Sequence, residues 1–111
     1  MEKITKKEFL QDLQKFIGKK QYLFATFKHN INYIKNMLEY ASDVYREEHI
    51  SYTSRVIIEI ENKNNYFKIN SSKYYWNGKT DIYRLVINEY TYYILHNITN
   101  NNIVVYENID L

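Results

Sequence analysis

The sequence predicts an α+β fold in which an N-terminal helical hairpin of two helices packs on an antiparallel β-meander of about five strands. Two observations carry this: the hydrophobic period falls from about 3.6 to about 2 near Ser51, and short turn-forming segments punctuate everything beyond that point. At 111 residues the chain fits one domain, residues 1–111.

Thr5 and Glu8 form a capping-box signature, and Ile4 and Phe9 stand where a hydrophobic staple closes over it. Phe9, Leu10, Leu13, Phe16 and Ile17 then share one helical face, and Gly18 supplies a left-handed stop beside Lys19 and Lys20. Phe24, Phe27, Ile31, Ile34, Leu38, Ala41 and Tyr45 alternate spacings of three and four, which predicts one long second helix to about Glu48. Tyr33, Met37, Tyr40 and Val44 run beside that seam and widen its apolar face. One alternative stays open: residues 22–27 also read as a buried strand, with Asn30 capping a shorter helix.

From Ser51, Val56, Ile58 and Ile60 fall on one strand face, and Arg55, Ile57, Glu59 and Glu61 on the other. Residues 62–65 read as a turn, and further strands are expected at 66–70, 73–76, 81–87, 90–97 and 103–107. The short connections imply hairpins. Asn77-Gly78 is the strongest turn signal, because both central residues of a type I′ turn take positive φ.

The residue inventory removes most chemistry. There is no cysteine, which excludes disulfides, thiolate nucleophiles and zinc–thiolate sites. Two glycines, Gly18 and Gly78, cannot build a glycine-rich phosphate loop, and His29, His49 and His96 stand far apart without the helical pairing that puts two imidazoles on one metal. Glu47-Glu48 and the pair Glu59 and Glu61 read as solvated surface. No catalytic residue, metal or cofactor is therefore expected, and the chain reads as non-enzymatic. The charged start and the lack of a run of roughly 20 apolar residues predict a protein of the bacterial cytoplasm without a membrane partner. Phe, Tyr, Met, Ile, Asn and Lys, whose codons are AT-rich, supply 61 of 111 residues, which points to an AT-rich bacterium, phage or plasmid.

The formal charge is +2, concentrated in residues 1–35, where eight lysines face three acidic residues. Eight tyrosines and Trp76 fall in strand candidates. If Tyr83, Leu85 and Ile87 face the helices, then Ile82, Arg84 and Val86 face outward beside Tyr90, Tyr92, Ile94 and His96. Such a ring-rich, nearly uncharged face suits a partner, since Tyr, Trp and Arg dominate interface hot spots. The expected function is thus a small protein-binding module occupying a surface of a protein or ribonucleoprotein complex. Its concrete form is a phage or mobile-element inhibitor of a host defence complex, of the anti-CRISPR kind, with contacts from Arg55, Tyr74, Trp76, Lys79, Arg84, Tyr90, Tyr92 and His96. A second copy of the chain is another candidate cover for that face. The alternative is an RNA- or single-stranded-DNA-binding module in which Lys15, Lys19, Lys20, Lys28 and Lys35 meet phosphates and Tyr74 or Trp76 stacks a base. The aromatic hairpin from Lys73 to Lys79 carries that alternative.

Overall fold

A short edge strand, β1 (Glu2–Ile4), leads into Thr5, and the first helix starts where the capping box places it. In a computed structural model of the protein, α1 spans Lys6–Gln14. The structure describes residues 1–27, 30–49, 54–76, 78–87 and 90–109, and the side chains of these apart from 20–27, 41–49, 54–55, 72 and 108–109. The Glu8 amide donates to the Thr5 hydroxyl at 3.1 Å and the Thr5 amide donates to the Glu8 carboxylate at 3.4 Å, which satisfies both ends of the box. Ile4 and Phe9 both enter the core. At its far end α1 stops short of the predicted Ile17. Residues 15–17 tighten into i→i+3 bonds, and Gly18, at φ +85°, donates its amide to the Ile57 carbonyl at 2.7 Å.

The predicted helical hairpin does not form. A strand, β2 (Lys20–Phe27), separates α1 from α2 (Ile31–His49), so the strand alternative for residues 22–27 is the one the structure holds. The Asn30 side chain accepts from the Asn32 amide at 2.8 Å and caps α2. Ile34 and Leu38 of the predicted seam are fully buried. Of the line expected to widen that face, Met37 packs on the core while Tyr33 and Tyr40 are 47 % and 85 % exposed, and the Val44 side chain lies outside the described residues.

The remaining strands are β3 (Ser54–Val56), β4 (Ile60–Asn62), β5 (Tyr66–Ile69), β6 (Ser72–Tyr75), β7 (Thr80–Ile87), β8 (Tyr90–Asn97) and β9 (Ile103–Ile109). They build two antiparallel sheets rather than one meander of about five strands. The larger has the order β1-β7-β8-β9-β2-β3 and the smaller β4-β5-β6. Ile34 and Leu38 of α2 pack on one face of the large sheet, against Leu85, Tyr92, Ile94, Ile103 and Val105. On the other face lies a mixed layer of α1 and the small sheet, where Phe9, Leu13, Phe67, Ile69 and Trp76 meet Ile82, Tyr93, Leu95 and Tyr106.

Two local devices divide the sheets. The strand expected to run through residues 55–61 breaks between β3 and β4, with Ile57 fully buried and Ile58 76 % exposed. Asn70, at φ +54° between β5 and β6, holds this bend. Its side-chain oxygen accepts from the amides of Ile58 (2.8 Å) and Glu59 (3.2 Å), and its Nδ2 donates to the Val56 carbonyl at 2.9 Å. The second device is the Asn77-Gly78 signal, which was expected to close a hairpin and instead carries the chain from β6 in the small sheet to β7 in the large one. Gly78 takes φ +69°, and a Cβ there would collide with the Thr99 hydroxyl, so glycine is required on two counts. Asn77 lies outside the described residues.

Urea unfolding tests both joints. Phe9→Ala is expected to cost about 3–5 kcal/mol as a large-to-small core change, and Asn70→Ala about 1–3 kcal/mol from its lost bonds. Asn70→Gly keeps the positive φ but not the amide, so wild-type stability in that variant would show that the side chain does not hold the bend.

Candidate functional site

The register of the large sheet decides what its aromatic residues do. Tyr83 pairs with Ile94, Arg84 with Tyr93 and Leu85 with Tyr92, so Tyr83 and Leu85 share a face with Tyr92 and Ile94 rather than opposing them. That shared face lies under α2, and the opposite one lies under α1 and the small sheet. Tyr92, Tyr93 and Tyr106 are 0 %, 2 % and 1 % exposed. Among the described residues, the rings expected on an outer face of the large sheet are therefore mostly covered. Tyr90 is half-buried and stacks on Tyr92 with ring centroids 6.3 Å apart. His96 is half-buried as well, its Nε2 2.7 Å from the Asn101 side-chain oxygen.

Arg84, expected to meet a partner, is half-buried and engaged within the chain. Its guanidinium donates to Asp12 at 2.8 Å and to Glu2 at 2.9 Å, while the Tyr93 hydroxyl donates to the same Asp12 oxygen at 2.7 Å. These bonds tie α1 and β1 to β7 and β8. Burial pushes the Asp12 carboxyl up, but the hydrogen bonds from Tyr93 and Arg84 and the charges of Arg84 and Lys15 outweigh it, leaving Asp12 below the usual carboxylate range. The Tyr93 phenol is raised, by burial first and then by its bond to Asp12. Hydrogen bonds to Asp12 and Glu2 hold the Arg84 guanidinium still more firmly protonated than usual.

The outer face of the small sheet is open to water at Lys73 and Tyr75 and half-buried at Tyr66 and Lys68. Strand alternation turns Phe67 and Ile69 inward and Tyr66 and Lys68 outward, and in β6 it turns Lys73 and Tyr75 outward. Lys68 pairs directly with Lys73, and Tyr66 with Tyr75. The two rings sit 5.9 Å apart, the Lys73 ammonium lies 4.9 Å from the Tyr66 ring, and Tyr75 is 58 % exposed. Glu61 shares this face, accepting from the Tyr66 hydroxyl at 3.3 Å and pairing with Lys63 at 3.7 Å.

Two concavities flank this face, and Trp76 lines both. A groove of about 420 Å³ between α1 and the small sheet has Leu10, Ile60 and Trp76 as apolar lining, Lys6, Lys7 and Lys63 as cations, and Gln11, Gln14, Asn62 and Asn64 as carboxamides. The Lys6 ammonium stands 4.5 Å from the Trp76 ring centroid. A smaller cavity of about 240 Å³ lies between β6 and the β8–β9 turn, with Tyr74, Tyr75, Lys73, Asn97, Asn100 and Asn102 among its lining residues. The Tyr74 ring stacks on Phe67 at 5.0 Å. Burial raises the Tyr106 phenol well above its ordinary value, with Tyr74 contributing through its charge and a hydrogen bond.

The predicted residues therefore divide. Tyr74 and Trp76 come together at this end of the molecule; Lys79 is exposed, and its carbonyl accepts from the Ile98 amide at 2.9 Å. The side chains of Arg55, Lys20 and Lys28 lie outside the described residues. The lysines named for nucleic acid do not form one surface: Lys15 pairs with Asp12 at 3.7 Å, Lys19 stands exposed beyond α1, and Lys35 pairs with Glu39 at 3.9 Å on α2, across the large sheet. Two other groups of cations do come together, Lys6, Lys7 and Lys63 around the α1 groove and Lys68 and Lys73 on the small sheet; only the second had a sequence signal, the alternation of Tyr66, Phe67, Lys68 and Ile69.

Among the described residues no group of three or more His, Asp or Glu side chains is placed to hold a metal ion. No described helix is long and apolar enough to cross a membrane. Comparison with known protein families, curated proteins and solved structures returned no match.

The Asp12 network makes stability pH-dependent. A carboxyl whose folded pKa is depressed contributes stability that is present above its unfolded pKa and lost as pH falls through the folded value, so urea midpoints are expected to drop below about pH 4. Asp12→Asn should remove that part of the drop. Arg84→Ala should cost about 1.5–3 kcal/mol at neutral pH, in contrast to the neutral effect expected of a surface contact residue.

Proposed function

We propose that the chain is a non-enzymatic binding module for single-stranded nucleic acid, RNA or DNA, whose working surface is the outer face of the small sheet. The observation that carries this reading is the paired array of Tyr66 with Tyr75 and Lys68 with Lys73 on adjacent strands. Unpaired bases expose a flat face at every step, so exposed rings hold them without demanding one sequence, and ammonium groups at strand spacing meet the phosphates between. Glu61 is the carboxylate on this face and already serves Lys63 and Tyr66. The whole-chain charge of only +2 fits a modest affinity that depends on a local cluster.

A second reading is favoured by a different observation. Ile58 is 76 % exposed, and Val56 and Ile17 are 44 % and 43 % exposed beside the bend at Ile57, an apolar cluster of the sort that docks on a protein. In this reading the chain occupies a protein or ribonucleoprotein surface, as a mobile-element inhibitor of a host defence complex does. Its signature is a partner from the host whose capture is lost in Ile58→Ser.

Fluorescence anisotropy with labelled single-stranded oligonucleotides separates the two. Affinity is expected to fall with salt at a slope of roughly −0.7 per phosphate met, hence about −2 for Lys63, Lys68 and Lys73 together. Tyr75→Ala should weaken binding by about 1–3 kcal/mol, and Lys73→Ala should shallow the slope by about one phosphate. An absence of binding to RNA and DNA at low ionic strength would remove the first reading.

A further inference from the structure

Resting on the nucleic-acid reading, we infer that the two concavities either side of Trp76 are two nucleotide subsites, so that one strand passes from the α1 groove over β6 into the cavity beside the β8–β9 turn. Each holds the same three chemistries. The groove offers ammonium groups from Lys6, Lys7 and Lys63, an apolar floor of Leu10, Ile60 and the small part of the core residue Trp76 that is exposed (9 %), and carboxamides on its rim. The smaller cavity offers Lys73, the rings of Tyr74 and Tyr75 and, again, carboxamides, from Asn100 and Asn102. No acidic side chain is among the described residues that line either one.

That combination specifies a ligand. A lysine-rimmed apolar groove alone also suits a fatty acyl chain or an acidic peptide, but an acyl chain has no use for repeated carboxamides, and a peptide, whose backbone can pair with them, brings no flat ring at every unit for the aromatic walls. A nucleotide uses all three groups: its phosphate meets the lysines, its ring lies against an aromatic wall, and the donors and acceptors on its base edge match the paired N–H and C=O of Asn and Gln. The larger groove, at about 420 Å³, falls in the range of small-ligand sites. The smaller cavity, at about 240 Å³, suits a base with its sugar outside. Trp76, 9 % exposed, stands between the two, and Lys73 and Tyr75 line the second while lying on the outer face of the small sheet, so the second cavity adjoins the sheet face.

Trp76 is the only tryptophan in the chain, so its emission reports on this path directly. The full-length protein is titrated with a labelled single-stranded oligonucleotide of roughly a dozen nucleotides, following anisotropy and Trp76 emission together, and separately with adenosine monophosphate. The expected result is a saturable emission change with the same midpoint as the anisotropy, and an affinity for the mononucleotide at least tenfold weaker. Lys6→Ala in the groove and Asn102→Leu in the smaller cavity should each weaken the oligonucleotide several-fold, with thermal melts showing that both still fold, while Lys19→Ala leaves it unchanged. If the strand binds by anisotropy but emission stays constant and both variants bind as wild type, the subsites are wrong and the sheet-face reading stands. A mononucleotide binding as tightly as the oligonucleotide would overturn the shared path. Failure of any oligonucleotide to bind, with Trp76 emission responding only to a host protein, would remove both readings.

Discussion

Phe9 is the point at which three separate pieces of this fold are forced together. Its ring centroid lies 5.5 Å from that of Phe67 and 6.4 Å from that of Trp76 in the small-sheet segment, and 5.4 Å from Tyr93 and 6.0 Å from Tyr106 in the large sheet. Rings at such tilted and edge-on geometries gain both burial and quadrupole attraction. Because α1 is only nine residues long, it has little helical stability of its own, and its place depends on this cluster and on the Asp12–Arg84 link. The small sheet depends on the cluster still more, since three short strands with one apolar face are marginal until that face is covered.

This constraint divides the aromatic residues by use. Most of the tyrosines of β8 and β9 are consumed in holding layers together: Tyr92 under α2, Tyr93 and Tyr106 under α1 and the small sheet. Tyr66 and Tyr75 are spared because Phe67 and Tyr74, their neighbours in sequence, take the inward positions. Once Phe67, Trp76 and Ile69 are committed to the core, the opposite face of the same strands has nowhere to go but water. The candidate surface is thus a by-product of how the small sheet is anchored, and the lysines of the first turn of α1 arrive beside it because the same Phe9 fixes that helix.

What was legible in the sequence was local. The capping box and the strands from residue 66 onward follow from spacings of a few residues and stand close to where they were expected, whereas Gly78 keeps its positive φ but joins two sheets instead of closing a hairpin. What failed depended on pairing at a distance. Residues 22–27 carry apolar side chains at both helical and strand periods, and it is pairing with β9, some eighty residues on, that makes them β2. The strand expected through residues 55–61 is interrupted between Val56 and Ile60, where Asn70, more than ten residues away, bonds the backbone of Val56 and Ile58. The supposed outer face rested on a one-residue choice of register between β7 and β8, which parity leaves open and which exchanges every side chain between faces. The lysine cluster was hidden for the same reason, since Lys6 and Lys63 become neighbours only when the small sheet folds back on α1.

The claim on which all of this converges is that the small sheet, not the large one, presents the working surface. Amide chemical-shift mapping of the intact chain during titration with a single-stranded oligonucleotide tests it most directly. The account predicts shifts confined to the first turn of α1, to residues 60–76 and to the β8–β9 turn, with α2 and the middle of β7 unmoved. Shifts centred instead on the exposed Tyr33 and Tyr40 of α2, or on Val86 in β7, would contradict it.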